Sequence, residues 1–429
     1  MKVKAFIVMG IITLLSACGV LFSEYEGDGN ITINLGGSSA GGGSILRAID
    51  TPSGTLPEFT EIYIKISKKG TTIAEETFKS TDPLTPLLAT STYKFTVPAG
   101  SGYRIEVGAV PTAATTRGFS KEYGAVINNV STGKGSIYIP LSVSGTPLVL
   151  WGTANRLVYF DEFKPNLTSV TSVTDAANYA QFFFDQYGYL YFRKNSTPYN
   201  IMQIQKMGEA PKTGPRASGI NYMSHAPGSP YLYYMDSPRN LVQIPMSQVY
   251  GGNDSDTLSG KTIPKSALKG PHFEMGEGAA FDIDIDGTVF LSGVDTSAGN
   301  AAVIGKGHIS EETASFTFHY SKGIRTERGI NEVKLINETL FLFGGDYINK
   351  ELILHVLDTN LEYKYDPIVI SYNDFPEFSL SSICGFNRKS IYVGFSYRSS
   401  VGVPSADRVR IYEIDIATGR ITGEGNGDI

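Results

Sequence analysis

The sequence predicts an all-β protein, and three observations carry that expectation. Apolar and polar residues alternate with a period of two in many short runs, as in residues 61–67 (EIYIKIS), and that period suits a half-buried strand. Gly (47) and Pro (21) punctuate these runs, while Tyr (25) and Phe (23), residues that pack well on a pleated surface, are abundant. No amphipathic helix of any length stands out. The 429 residues suffice for two or three domains, and 41% hydrophobic against 18% charged residues mark a globular chain. A formal charge of −6 argues against a phosphate-binding surface, so no nucleic-acid partner is expected.

The elements divide into two groups. Residues 30–145 hold alternating runs at 31–35, 61–67, 71–78, 93–97, 103–110 and 136–143. Turn signals separate them, including Lys69-Gly70, Pro98-Ala99-Gly100 and Thr132-Gly133-Lys134-Gly135. Short strands at this spacing predict a β-sandwich. Residues 36–44 (GGSSAGGGS) read as a flexible loop. The stretch YKFTVPAGSGYRIEVGAV resembles the paired strands around a VPAG-x-Y turn in prealbumin-like or Ig-like modules of bacterial surface proteins, a resemblance that implies a spacer.

From about Thr146 the pattern changes. Residues 181–192 (QFFFDQYGYLYF), 281–291 (FDIDIDGTVFL), 333–343 (VKLINETLFLF) and 383–395 (ICGFNRKSIYVGF) share an apolar strand, a polar turn and a second strand rich in aromatics. Residues 148–160 and 220–235 are looser copies. Turn centres fall near residues 155, 188, 229, 287, 338 and 389, and 353–360 (ILHVLDTN) and 411–419 (IYEIDIATG) supply outer strands. Repeats of about 40–50 residues with several strands each are the signature of a β-propeller, here of about six blades over residues 146–429. The irregular spacing also permits a second pair of sandwiches. The IYEIDIATG end resembles the outer strand and turn of quinoprotein-like or kelch-like blades, although neither a WD dipeptide nor a kelch double glycine recurs.

Residues 1–17 read as a leader: Lys2 and Lys4 precede an apolar run over 5–15, too short to cross a bilayer at 1.5 Å per helical residue. The run closes on Leu15-Ser16-Ala17-Cys18. These four residues resemble the lipobox of bacterial lipoproteins, which implies thioether diacylglycerol on Cys18, cleavage after Ala17 and acylation of the new amino group. Two or more fatty chains, at about 0.8 kcal/mol per buried CH₂, form a durable anchor without a transmembrane helix. Residues 18–29 would then be a tether, and Gly19 in place of an inner-membrane retention Asp leans toward the outer membrane. Cys384 lies in an apolar stretch and reads as a buried small hydrophobe.

Motif searches for chemistry return little. The five histidines (His225, His272, His308, His319, His355) show no zinc-protease spacing. G-x-S-x-G at residues 37–41 lacks the strand–helix junction of a nucleophile elbow, and Gly260-Lys261-Thr262 is half of a phosphate loop. The best metal candidate is Asp282, Asp284 and Asp286, placed at i, i+2 and i+4 before Gly287. On one strand they share a face and open a calcium-loop pattern, but position twelve is Gly293 rather than a bidentate Glu, so a hairpin turn at Asp286-Gly287 competes with calcium. Tyr222, Tyr231, Tyr233 and Tyr234, and again Tyr363, Tyr365 and Tyr372, suit either sheet packing or a glycan or protein contact. Residues 236–240 and 397–407 read as blade-edge loops.

The expectation is therefore a lipid-anchored extracytoplasmic protein with a β-sandwich spacer and a propeller acting as a non-catalytic binding platform at the cell envelope. The layout resembles surface lipoproteins of diderm bacteria, spirochaetal ones among them. The expected partners are the membrane, through the anchor, and a protein or glycan, with calcium as the one candidate cofactor. Two alternatives stand beside it: a propeller enzyme (hydrolase, lyase or dehydrogenase) with residues drawn from several blades to the channel mouth, and a structural component of an envelope assembly.

Overall fold

The computed structural model describes residues 27–428 apart from 36–58, 81–91, 112–121, 399–406 and shorter breaks at 140, 147, 153–155, 161, 177–181, 186–187, 206–208, 217–218, 227–228, 277–278, 285, 311–314, 325–329, 337, 347 and 374–376. Leu15, Ser16, Ala17 and Cys18, and the G-x-S-x-G stretch at 37–41, lie outside the described residues. The described chain is all-β, built mainly of antiparallel sheets, with one six-residue α-helix.

The N-terminal unit consists of β1 (Asp28–Leu35), β2 (Phe59–Lys68), β3 (Thr71–Lys79), β4 (Thr92–Pro98), β5 (Tyr103–Pro111), β6 (Glu122–Val130), β7 (Ile137–Ile139) and β8 (Ser142–Gly145). A three-stranded sheet in the order β4-β1-β7 and a five-stranded sheet in the order β3-β2-β5-β6-β8 share one apolar core. Alternation fills it: Ile62, Ile64 and Ile66 on β2 and Tyr103, Ile105 and Val107 on β5 are buried. The run at 136–143, expected as one strand, is divided between the two sheets. β7 pairs parallel with β1, and β8 pairs antiparallel with β6. Pro140, between them, has no N–H with which to continue a ladder.

The remaining strands form six consecutive meanders, numbered here as sheets I to VI. Sheet I holds β9 (Leu148–Gly152), β10 (Arg156–Phe160) and β11 (Asn166–Val173). Sheet II holds β12 (Phe183–Phe184), β13 (Leu190–Arg193), β14 (Asn200–Ile204) and β15 (Lys212–Arg216). Sheet III has β16 (Tyr222–Ser224), β17 (Tyr231–Met235), β18 (Leu241–Pro245) and β19 (Lys261–Ile263), with helix α1 (Met246–Gly251) after β18. In sheet IV the first strand is split into β20 (Phe273–Glu274) and β21 (Phe281–Ile283), followed by β22 (Thr288–Asp295), β23 (Ala301–Ser310) and β24 (Ser315–Gly323). Sheet V is β25 (Ile330–Ile336), β26 (Thr339–Asp346), β27 (Glu351–Asp358) and β28 (Ile368–Ser371). Sheet VI is β29 (Glu377–Phe386), β30 (Ser390–Arg398), β31 (Asp407–Asp415) and β32 (Ile421–Asp428). Each of the six strand–turn–strand copies legible in the sequence forms the first hairpin of one sheet.

These sheets are apolar on both faces, and that property decides their arrangement. On β26 (TLFLFGGD) every residue is buried: Leu340 and Leu342 pack toward sheet IV, while Phe341 and Phe343 pack toward sheet VI. Apolar cores join I to II, II to III, III to IV and V, V to VI, and VI back to I. The cycle is therefore closed. At the closing step Leu148, Leu150 and Phe160 of sheet I meet Cys384, Val409 and Ile411 of sheet VI. Each such side chain, fully buried, contributes about 1.5–3 kcal/mol.

The closure also has a backbone seam. Asn166, Leu167 and Thr168 of β11 pair in parallel with Asn426, Gly427 and Asp428 of β32, making I and VI one seven-stranded sheet. The last strand, ITGEGNGD, has glycine at 423, 425 and 427, on the side that sheet I approaches. A Cβ at Gly425 would lie 2.5 Å from the Lys164 carbonyl oxygen, and one at Gly427 would lie 2.6 Å from that of Leu167.

A cross-strand pair recurs between second and third strands: Tyr191 with Gln203, Tyr233 with Gln243, Phe290 with Lys306, Leu342 with His355, and Tyr392 with Glu413. In three of them the polar member hydrogen-bonds to the facing tyrosine. Gln243 Nε2 donates to Tyr233 Oη at 3.0 Å, Gln203 Nε2 to Tyr191 Oη at 2.5 Å, and Tyr392 Oη to Glu413 Oε1 at 2.9 Å. The N-terminal unit grips the ring through turns of sheets V and VI. Arg388 lies 5.6 Å from the Tyr63 ring centroid and 3.4 Å from Glu122 Oε2, against the bare backbone of Gly108. Glu338 accepts hydrogen bonds from Arg104 and Asn128.

Because a Cβ at position 427 collides with backbone rather than with a movable side chain, Gly427→Ala is expected to lower stability by about 1–3 kcal/mol. Gly251→Ala, where a Cβ meets nothing within 4 Å, is the near-neutral control. Urea denaturation of the two variants beside the parent chain measures both.

Candidate functional site

The first strands of the sheets run beside one another around the ring axis, and each has one edge without a strand partner. An edge strand leaves N–H groups that need an acceptor. Side chains of neighbouring sheets supply it. Asp282 on β21 accepts the Leu335 N–H of sheet V on Oδ2 at 2.7 Å, and on Oδ1 its own neighbour's N–H from Ile283 at 3.0 Å and the hydroxyl of Ser224 from sheet III. Glu332 on β25 accepts the Ile383 N–H of sheet VI at 2.7 Å. The Tyr222 hydroxyl of sheet III stands 3.4 Å from the Val333 N–H of sheet V. One carboxylate thus ties three sheets, and another ties a fourth.

Charge balance at the axis follows from Lys334. Its ammonium lies 5.9 Å from the ring centroid of Phe182 in sheet II, on the far side of the cycle from its own strand. The same charge lowers the pKa of Asp282. Burial is the larger influence: Asp282 is 8% exposed, and desolvation pushes its carboxyl above the usual value against Lys334 and its hydrogen-bond donors. Chemically this is a saturated carboxylate, with both oxygens engaged by donors from three sheets. It holds first strands in register. Glu332 and Lys334 were missed in the sequence, yet INEVKLI carries a signal, since two charges at i and i+2 interrupt an otherwise apolar inner strand.

The three aspartates singled out in the sequence take separate tasks. The strand expected to run through Asp286 is the short β21, which ends at Ile283, so the alternation placing them on one face does not extend that far. Asp282 points into the inter-sheet tie, the Asp284 backbone closes the turn with Gly287 and Thr288, and exposed Asp286 accepts the Thr288 N–H at 2.8 Å. Among the described residues, no group of three or more His, Cys, Asp or Glu is placed to hold a metal ion.

Aspartates begin many of the ring's turns in the same way. Asp236 accepts the Asn240 N–H, Asp346 those of Ile348 and Asn349, Asp358 those of Asn360 and Glu362, and Asp415 that of Thr418. Hydrogen bonds from Ser297 and Thr418 hold the carboxyls of Asp295 and Asp415 below the usual range. The tyrosines serve chiefly as packing: Tyr222, Tyr233 and Tyr372 are buried, Tyr231 and Tyr234 half-buried, and Tyr363 is the exposed member. Cys384 is 1% exposed, donates to the Tyr392 carbonyl at 3.3 Å, and has its thiol pKa pushed up by burial and by Glu332. Gly260-Lys261-Thr262 enters β19, an outer strand.

No model of a known protein family matches the sequence, and no curated protein matches it. Among solved structures, TolB from Acinetobacter baumannii is similar at 11% identity over 77% of each chain, with a TM-score of 0.42. Hydrazine synthase of Kuenenia stuttgartiensis is similar at 12% identity over 56% of this chain and 64% of that one, with a TM-score of 0.35. The β-propeller domain of Cps50 (Swd1) from Myceliophteria thermophila is similar at 10% identity over 66% and 86%, with a TM-score of 0.35.

Two outcomes follow from the buried groups. Asp282→Asn places an amide where two acceptor oxygens are required, leaving a buried donor unmatched, and is expected to cost about 1–3 kcal/mol in urea denaturation. Burial pushes His225 and His355 down to about 4, and the Nε2 of each is buried with no hydrogen-bond partner. The unfolded chain takes up these protons first, so the stability they confer is complete above the ordinary value of 6.5 and is lost as pH falls toward 4. Each histidine adds up to about 1.4 kcal/mol per pH unit in that window. Asp282 opposes them, because the penalty of ionising it disappears on acidification. Melting temperature is expected to fall across this window, and His355→Gln to flatten the slope.

Proposed function

We propose that this chain is a lipid-anchored extracytoplasmic protein whose N-terminal β-sandwich carries a six-bladed β-propeller, and that the propeller is a non-catalytic binding platform at the cell envelope. The anchor in this reading is Cys18 in the lipobox-like Leu15-Ser16-Ala17-Cys18, with the outer membrane as its location. The sandwich is the spacer, holding the propeller by the turns that carry Glu338 and Arg388.

The observation that carries the platform reading lies at the other end of the ring, where the turns between second and third strands emerge. There Asp346 fixes the backbone of Ile348 and Asn349 at 3.0 Å each, and Ile348 is 76% exposed, the most exposed large apolar side chain among the described residues. Ser237 and Pro238, in the Asp236 turn, and residues 296–300 are exposed at the same end. An apolar side chain on a fixed backbone loses less entropy on docking than one on a mobile loop, which suits recognition of a protein or glycan. The saturated ties of Asp282 favour binding over catalysis as the ring's task.

Two variants test the two halves of the proposal. Cys18→Ser is expected to abolish labelling by a fatty-acid probe and to move the protein from the membrane pellet to the soluble fraction. An unprocessed Met1 start without acyl mass would remove the anchor. Ile348→Asp is expected to leave the melting temperature unchanged while abolishing crosslinking to an envelope partner; crosslinking that survives would remove the platform surface.

A further inference from the structure

On the flank of sheet IV, toward sheet V, an open groove of about 440 Å³ is lined by Thr288, Lys306, His308, His319 and Asn360. Its walls present a hydroxyl, an ammonium, two imidazoles and an amide, and no carboxylate. Three local devices assemble it. The first is a β-bulge: Lys306 pairs with Tyr320 and Gly307 with Phe318, so His319 is the extra residue between them and the bulge re-aims its side chain. The second is the turn at Asp286-Gly287. Gly287 has φ +86°, and its missing Cβ lets the turn lie against the Ile309 carbonyl, so that the Asp286 carbonyl accepts from His308 Nε2 at 2.9 Å.

The third device is a departure from the ring's own repeat. In sheets II, III and VI the polar residue of the cross-strand pair hydrogen-bonds to the tyrosine opposite it. In sheet IV the partner is Phe290, which cannot accept a hydrogen bond, and Lys306 instead extends to the Thr359 carbonyl of sheet V at 2.7 Å. An ammonium has three donors, so donors remain for a ligand. The acidic side chains on the surrounding elements are turned to other work. Asp286 accepts the Thr288 N–H, Asp358 accepts those of Asn360 and Glu362, and Glu362 pairs with Lys322 at 3.0 Å.

We infer that this groove binds an oxyanion, the phosphate or carboxylate of a polar ligand, through Lys306, His308 and His319. The volume exceeds what a bare anion fills and matches a small-molecule site, so the anionic group is carried on a larger polar body such as a sugar. The inference is independent of the platform reading, which concerns the opposite end of the ring.

Isothermal titration of the folded chain with glucose 6-phosphate, glucuronate, inorganic phosphate and glucose tests it. The expected result is saturable one-site binding of at least one sugar anion, with glucose silent. Response to glucose 6-phosphate alone assigns a phosphate ligand, and response to glucuronate alone a carboxylate. Lys306→Gln and, at an exposed position that leaves the sheet intact, His319→Gln are each expected to weaken binding about tenfold. Absence of saturable heat with both sugar anions at about 20 mM, binding of glucose equal to that of its phosphate, binding of inorganic phosphate alone, or affinity unchanged in both variants would overturn it.

Discussion

A sheet that is apolar on both faces cannot be a finished unit, because either face left in water forfeits the burial that stabilises it. Five of the six meanders meet this by stacking on the next one along the chain, a local solution. The sixth has only the first left to meet, and the whole ring depends on that junction. Leu148, Leu150 and Phe160 must find Val409 and Ile411 across some 250 residues of chain, roughly the separation at which loop closure is slow and long-range contacts arrive last. Alternate glycines on β32 make the approach possible. A side chain at Gly425 or Gly427 would hold the two backbones apart by the width of a Cβ, and the parallel seam with β11 would not form.

Once closed, the ring brings six unpaired strand edges toward one axis. On the edges of β25 and β29, side chains from neighbouring sheets fill the gap: Asp282 serves Leu335, and Glu332 serves Ile383. Carboxylates suit the task because each has two oxygens and several lone pairs, and Lys334 offsets part of the cost of burying the charge. The arrangement gives the charged groups that converge on the axis a structural task. At the periphery, aspartate-capped turns fix the backbone beside exposed side chains such as Ile348, and on the flank of sheet IV the cross-strand repeat lapses at Lys306.

The six first hairpins were legible because each is a local event, an apolar run, a polar turn and a second run within about a dozen residues. The turn aspartates were legible for the same reason, since Asp346 or Asp415 bonds to backbone only two or three residues on. The Asp282, Asp284 and Asp286 triad shows where such reasoning stops. Period-two alternation holds only while the strand lasts, and β21 ends at Ile283, so three similar carboxylates acquire three different environments. Likewise the run at 136–143 has one pattern but serves two sheets.

Sequence alone determined the class of structure and the first hairpin of every sheet, because each rests on residues adjacent in the chain. Tertiary structure decided which sheet neighbours which, that Glu332 and Lys334 face an axis, that Arg388 lies on Gly108, and that Lys306, His308, His319 and Asn360 border one groove. Those relations join residues tens to hundreds of positions apart, and no local periodicity encodes a distance across a closed ring.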